Sequence, residues 1–202
     1  MKEQFNIYYW GPLLFRMKMK TEEVKAVRKI CDGGTEKFNT DLAGIIDDEI
    51  LIDKMKYIEI LYPYLMAYKQ AHKLWYDTTI DTITINSAWV NYMKKGECNP
   101  PHIHEGCHLS SALILEVPEI LKKEQEDWKG TYTGPGALMF SVGNPQPFHT
   151  NVFNFRPEEG DLFIFPWNLT HSVSAYKSDA RRISVAANFN LKTKGVLNVQ
   201  EK

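Results

Sequence analysis

Apolar positions change their spacing once along this chain, near Asp77. Before it they recur every three or four residues. Ile52, Met55, Ile58, Leu61, Tyr62 and Leu65 share one face of a 3.6-residue repeat, which predicts a helix over about Asp48 to Leu74. Pro63 lies inside that run and lacks an N–H, so a kink or break is expected there. An earlier helix is expected from TEEVKAVRKIC, capped by Thr21 and ended by Asp32-Gly33-Gly34. After Asp77 the pattern alternates. TIDTITINSAWVNYM is rich in Thr, Ile and Val, as strands are. Further strand-like runs are LSSALILEV (109–117), ALMFSV (137–142), NVFNF (151–155), DLFIF (161–165), HSVSAY (171–176) and RISVAANFN (182–190). Gly134-Pro135-Gly136, Gly143-Asn144-Pro145 and Pro157-Glu158-Glu159-Gly160 punctuate them, and 118–135 and 143–150 read as loops.

Many short strands separated by turns predict a β-barrel or a double-sheet jelly roll. The expected fold is therefore mainly β with a helical N-terminal third. The helices of about 1–77 would buttress a jelly roll of about 78–192, all in one domain. The 202 residues are enough for a sizeable core.

Charge and cysteine content narrow the setting. Net charge is −1, which supplies no global basic field for nucleic acid or anionic lipid. Arg16, Lys18, Lys20, Lys25, Arg28 and Lys29 form a local basic patch, interleaved with Glu22 and Glu23, and read as a solvated helix face. The N-terminal MKEQFNIYYWGPLLF lacks the layout of a signal peptide, and no apolar run reaches the roughly 18 residues of a membrane span. Cys31, Cys98 and Cys107 are odd in number and unrelated in spacing, against a disulfide framework. The cytoplasm is the expected compartment. Apolar surface on the helical third is compatible with a homodimer.

The candidate chemistry centres on PPHIHEG. In an extended segment alternate side chains share a face, so His102 and His104 can point together, and Pro100 and Pro101 favour extended backbone. An H-x-H pair alone is weak evidence. His171 strengthens it, because it follows an apolar strand and a proline-marked turn, GDLFIFPWNLT, and enters a new strand. Three imidazoles on rigid strands would leave coordination positions open, as catalytic metals need. Glu105 is a nearby carboxylate, but its odd spacing from His104 points it to the other face unless the chain turns. His72 lies near a helix end and reads as structural. His108, and His149 in QPFHTN, read as surface residues or as neighbours of a site. Cys98 and Cys107 read as bystanders, since thiolates at an oxidising metal are vulnerable.

Two families share this layout. Gly96, five residues, then His102-x-His104, and Gly160, five residues, then Pro166 and His171, resemble the two cupin motifs. The cupin glutamate is missing, however: positions 108–109 are His-Leu. A closer resemblance is to the 2-oxoglutarate- and Fe(II)-dependent oxygenases, in the phage and bacterial branch of this size. The residues that carry it are Trp89-Val90-Asn91, Pro101-His102-Ile103-His104, Leu109-Ser110-Ser111, Gly160-Asp161-Leu162-Phe163-Ile164-Phe165-Pro166, His171 and Arg182-Ile183-Ser184, over about 85–190. That resemblance implies a double-stranded β-helix, bound Fe(II), 2-oxoglutarate as cosubstrate, O2 as oxidant and hydroxylation of a substrate the sequence does not name. It implies the host cytoplasm if the source is a phage. The family usually keeps H-x-D or H-x-E before the last histidine. Here His104 stands in the acid's place, giving His102, His104 and His171 as ligands, with Glu105 as the alternative third ligand.

An arginine near position 182 holds the far carboxylate of the cosubstrate in that family. The chemistry is sound, because a guanidinium fork pairs with a carboxylate through two parallel hydrogen bonds. Ser184 lies on the face of Arg182 and can donate to the same anion, and Ala186 and Asn188 continue that face. Arg181 is the competitor, facing the other way. Asn91 is a further polar candidate for the pocket. A cupin-type metalloenzyme without 2-oxoglutarate, and a non-catalytic jelly-roll binding module, are the competing readings.

Overall fold

The computed structural model describes residues 11–39, 42–131, 134–144, 147 and 150–193. Ten strands and three helices are found among them. In chain order they are β1 Phe15–Lys18, α1 Thr21–Asp32, β2 Glu49–Leu51, α2 Lys54–Tyr76, β3 Ile80–Lys94, β4 Asn99–His102, β5 Leu109–Glu116, α3 Glu119–Asp127, β6 Leu138–Ser141, β7 Val152–Phe155, β8 Asp161–Pro166, β9 Thr170–Val173 and β10 Arg181–Thr193.

The strands form two antiparallel sheets. The larger has the order β1-β8-β5-β10-β3-β2 and the smaller β4-β9-β6-β7. From β3 to β10 the chain passes repeatedly between the sheets, as the jelly-roll expectation requires. Strand alternation separates two cores. On the outer face of the large sheet, Val90, Leu113, Ile183, Val185 and Phe189 meet the buried stripe Tyr57, Leu61, Leu65 and Tyr68 of α2. Between the sheets, Met93, Ile114, Phe140, Phe163, Phe165 and Val173 form the second cluster. The helices therefore buttress one face of the sandwich and leave the space between the sheets to the second core and to a cavity.

Several local expectations are corrected. Helix α2 begins at Lys54, because the Asp53 side chain accepts from the N–H groups of Met55 and Lys56 and caps it there. Residues 49–51, expected as helix, pair instead with β3. Pro63 does not end α2. It and Glu59, whose carbonyl loses its partner, are both exposed, so water can replace the missing bond. Thr21 is the first residue of α1 and Lys20 occupies the cap, where its N–H meets the Glu23 carboxylate at 3.2 Å. The basic patch is only partly helical. Arg16 and Lys18 lie on β1 and reach Asp161 at 2.9 and 3.5 Å, while Arg28 pairs with Glu116. The supposed loop after Val117 contains α3. Strand β9 stops at Val173, short of Tyr176. The turn before β8 closes on Gly160, whose φ of +85° suits glycine alone and whose N–H and carbonyl bridge Ile114 and Met19 at 2.8 Å each. Among the described residues no helix is long and apolar enough to cross a membrane.

Candidate metal centre

Strands β4 and β9 are antiparallel neighbours, with His102 directly opposite His171. His104 follows just past the end of β4, where its N–H donates to the Trp167 carbonyl at 2.9 Å. That backbone bond folds the H-x-H segment back over the turn leading into His171. The imidazoles of His102, His104 and His171 then converge, with ligand nitrogens all within 4.8 Å of one another. They are the one group of three or more potential ligands found among the described residues.

The hydrogen bonds fix the tautomers. The Nδ1–H of His102 donates to the Pro100 carbonyl at 2.8 Å, and that of His171 to the Leu169 carbonyl at 3.0 Å. Each Nε2 therefore carries a lone pair instead of a proton. Carbonyl partners of this kind orient metal-binding histidines. His104 Nε2 lies 3.1 Å from His171 Nε2. Two nitrogens bound to one metal at about 2.0–2.1 Å sit roughly 2.9–3.4 Å apart, for right-angle to tetrahedral geometry. Burial favours the neutral rings that metal binding needs. It pushes His104 down to about 4, lowers His102, and with the neighbouring imidazoles holds His171 well below its ordinary range.

A cavity opens from this triad between the sheets. Its polar walls include Asn91, Asn99, Arg182 and Ser184, and its apolar walls Trp89, Leu138, Phe165 and Val173. Arg182 is buried at 2 % exposure, and its Nη1–H donates to Ser184 Oγ at 3.3 Å. Its Nε has no partner, and it forms no ion pair among the described residues. Burial lowers its pKa to about 10, which still leaves it charged at neutral pH. A buried cation without an anion costs several kcal/mol, on the order of 3–5. Ser184 lies opposite Asn91 in the β3–β10 register, so the three groups share one wall.

The remaining candidates fall elsewhere. Arg181 is exposed and lies over the Tyr92 ring at 5.0 Å. Asn188 is not among the cavity walls, and its Oδ1 accepts from Ser110 at 2.9 Å. Glu105 is exposed and outside the triad. His108 is exposed and meets Asn190 at 3.1 Å. His72 contacts the Thr78 carbonyl and the Tyr68 and Tyr76 rings. Cys107 is buried with Sγ 3.6 Å from the His104 carbonyl, and Cys98 is a free thiol. His149 lies outside the described residues. Two residues near the cavity escaped sequence reasoning. Asn99 was hidden among the prolines, although a residue before proline is held extended and can face a site. Glu49 is buried at 1 % exposure opposite Asn91. Its one signal was being an acid at the head of the apolar run Ile50-Leu51-Ile52.

Comparisons with known proteins agree with this architecture. No curated protein matches the chain. A Pseudomonas putida prolyl-4-hydroxylase has a similar structure, with a TM-score of 0.56 and 15 % identity, covering 89 % of this chain and 92 % of that one. A prolyl hydroxylase from Trichoplax adhaerens, solved with a hypoxia inducible factor peptide fragment, gives 0.55 and 11 %, covering 88 % and 83 %. A viral collagen prolyl hydroxylase from Paramecium Bursaria Chlorella virus-1 gives 0.51 and 12 %, covering 87 % and 94 %. These likenesses establish the fold. The family model described as "Putative 2OG-Fe(II) oxygenase" matches residues 87–188, which span β4 to β9, all three histidines and the Arg182–Ser184 pair. With that match over half its length, the chain belongs to the 2OG-Fe(II) oxygenase family.

Proposed function

We propose that the protein is a non-haem Fe(II)- and 2-oxoglutarate-dependent dioxygenase that hydroxylates an organic substrate. His102, His104 and His171 hold the iron, and Arg182 with Ser184 holds the distal carboxylate of 2-oxoglutarate. The observation that carries this reading is the unpaired, buried Arg182 facing the same cavity as three neutral imidazoles. The donor set fits both groups. Nε2 lone pairs suit a divalent transition metal. A guanidinium beside a serine hydroxyl suits a carboxylate, which would satisfy the orphaned Nε. When bound, iron and cosubstrate supply the oxidising chemistry: 2-oxoglutarate is cleaved to succinate and CO2, and one oxygen atom of O2 enters the substrate.

The chain's own part is geometric and electrostatic. The Pro100 and Leu169 carbonyls hold two imidazoles in the tautomer that presents Nε2. Arg182 orients the dianion, and Asn91 adds a polar wall beside Ser184. Phe165, Leu138 and Val173 keep the chamber apolar and exclude water. No protein nucleophile is required.

Anaerobic titration tests this directly. Fe(II) and 2-oxoglutarate together should give a visible metal-to-ligand charge-transfer band. Arg182→Ala should weaken cosubstrate binding by tenfold or more, roughly the worth of a charge-assisted pair. A wild-type protein with no band would refute the reading.

A further inference from the structure

The family reading leaves Trp89 without a role, yet it touches both halves of the site. Its indole is buried at 3 % exposure on the inner face of β3. Its ring lies 5.9 Å from the His104 ring, with the planes tilted by 34°. It also packs against Phe38, with centroids 5.4 Å apart. Opposite it on β10 stands Ala186, small enough to leave the indole room. Two residues along the same strand face, Asn91 Oδ1 accepts the indole Nε1–H at 3.1 Å.

That hydrogen bond decides which way round the Asn91 amide lies. An isolated carboxamide can exchange O and N at little cost, but an indole N–H is a donor only. Oδ1 must therefore face Trp89. What Asn91 has left to offer is Nδ2 with two hydrogens, on a cavity wall next to Ser184 and Arg182. The wall becomes one of donors alone, as a carboxylate requires.

We propose that Trp89 is a positioning residue that joins the metal half of the site to the cosubstrate half. Its ring braces the His104 imidazole, and its N–H turns the Asn91 amide so that Nδ2 donates to the bound cosubstrate anion. The inference rests on the 2-oxoglutarate reading. It goes beyond it by making cosubstrate affinity depend on the orientation that the Trp89 indole imposes on Asn91.

The two functions of the indole separate by substitution. Trp89→Phe keeps a ring beside His104 and removes the N–H. In the anaerobic charge-transfer titration its 2-oxoglutarate Kd should rise roughly tenfold, the worth of one hydrogen bond to a charged group. Its Fe(II) affinity, titrated without cosubstrate, should stay within about twofold of wild type, because an aromatic ring still braces the His104 imidazole. Trp89→Leu removes the brace as well and should lose both. The decisive measurement is a double-mutant cycle on cosubstrate affinity. In an Asn91→Ala background, Trp89→Phe should have no further effect, because the amide it orients is gone. Additive losses in that cycle, or an unchanged Kd in Trp89→Phe alone, would overturn the assignment. Should Trp89→Phe not fold, Asn91→Asp answers the same question. It keeps an acceptor for the indole but replaces Nδ2 by a carboxylate oxygen, so cosubstrate affinity should collapse while Fe(II) binding persists. Undiminished 2-oxoglutarate binding in Asn91→Asp would equally overturn it. A wild-type protein without the band fails at the earlier step, bringing down the cosubstrate reading and this inference together. A wild-type band with intact Trp89→Phe affinity brings down this inference alone.

Discussion

At the scale of single residues, His104 is the position that sets this site apart. A carboxylate there would cancel one charge of a divalent ion, whereas a neutral imidazole does not. A metal held by three imidazoles would be one unit more positive, which would favour a dianionic cosubstrate but weaken the protein's own hold on the ion. His104→Ala should abolish Fe(II) binding, and Glu105→Ala should leave it intact, since Glu105 is exposed and outside the triad. The reverse result in a metal titration would give the third place to the acid. Buried groups also set the response of the metal-free protein to pH, and two of them, His104 and Glu49, act with opposite signs. Burial takes His104 down from 6.5 to about 4, so between those values the unfolded chain binds a proton that the folded chain does not, and stability rises with pH. Burial, aided by Glu97, takes Glu49 up from 4.5 to about 7. There the folded chain keeps a proton that the unfolded chain has released, and stability falls as pH rises through the same window. Glu49→Gln removes the second effect. Its denaturation free energy should climb more steeply from about pH 4.5 to 6.5 than that of wild type, by at most about 1.4 kcal/mol per unit. Parallel curves would mean that Glu49 is ionised in the folded protein.

At the scale of elements, legibility followed pattern length. Strands β3, β5, β8 and β10 were all visible as alternating or continuous apolar runs bounded by turns, and each is found within a few residues of its expected place. The long stripe of α2 was equally clear. Its start was not, because three residues of apolar sequence cannot distinguish a strand from a helix, and Glu49–Leu51 become strand only by pairing with β3. The true boundary is chemical. Asp53 holds the N–H groups of Met55 and Lys56 at 3.1 and 3.2 Å. Asp53→Ala should therefore cost about 1 kcal/mol and lower Tm by about 2–4 °C in a chain of this size. Fe(II) affinity should not change, since Asp53 belongs neither to the triad nor to the cavity walls. A Tm equal to that of wild type would show that packing of Tyr57 and Leu61 alone fixes where α2 begins. Strand β1 and helix α3 stayed hidden for a related reason. FRMK and EILKKEQED are short and rich in charge, and Arg16 is committed to strand by Asp161, 145 residues away.

At the scale of the whole molecule, the three histidines, Arg182 and Ser184 were legible because each lies on a strand whose phase the sequence reveals. The wall residue Asn99 and the buried Glu49 opposite Asn91 were not, because their places depend on how the two sheets are joined at their open edge. Residues 42–51 make that join. Ile45 bridges to Cys98 beside β4 of the small sheet, and Glu49–Leu51 pair with β3 of the large one. Gly44 sits in the crossing. A Cβ there would lie 2.5 Å from Asn99 Oδ1 and 3.2 Å from Glu49 Oε1, so it could enter only by displacing them. Asn99 is a wall of the cavity where cosubstrate is proposed to lie. The backbone of Gly44 itself needs no left-handed conformation, so Gly44→Ala carries no conformational penalty of its own. Its cost in stability should thus lie at the low end for added bulk, about 1 kcal/mol, because side-chain ends must give way, while the cavity changes shape. The expected signature is a Tm within about 4 °C of wild type together with weaker 2-oxoglutarate binding in the charge-transfer titration. A large loss of Tm with unchanged affinity in the folded fraction would mean that the crossing segment supports the sandwich without shaping its cavity.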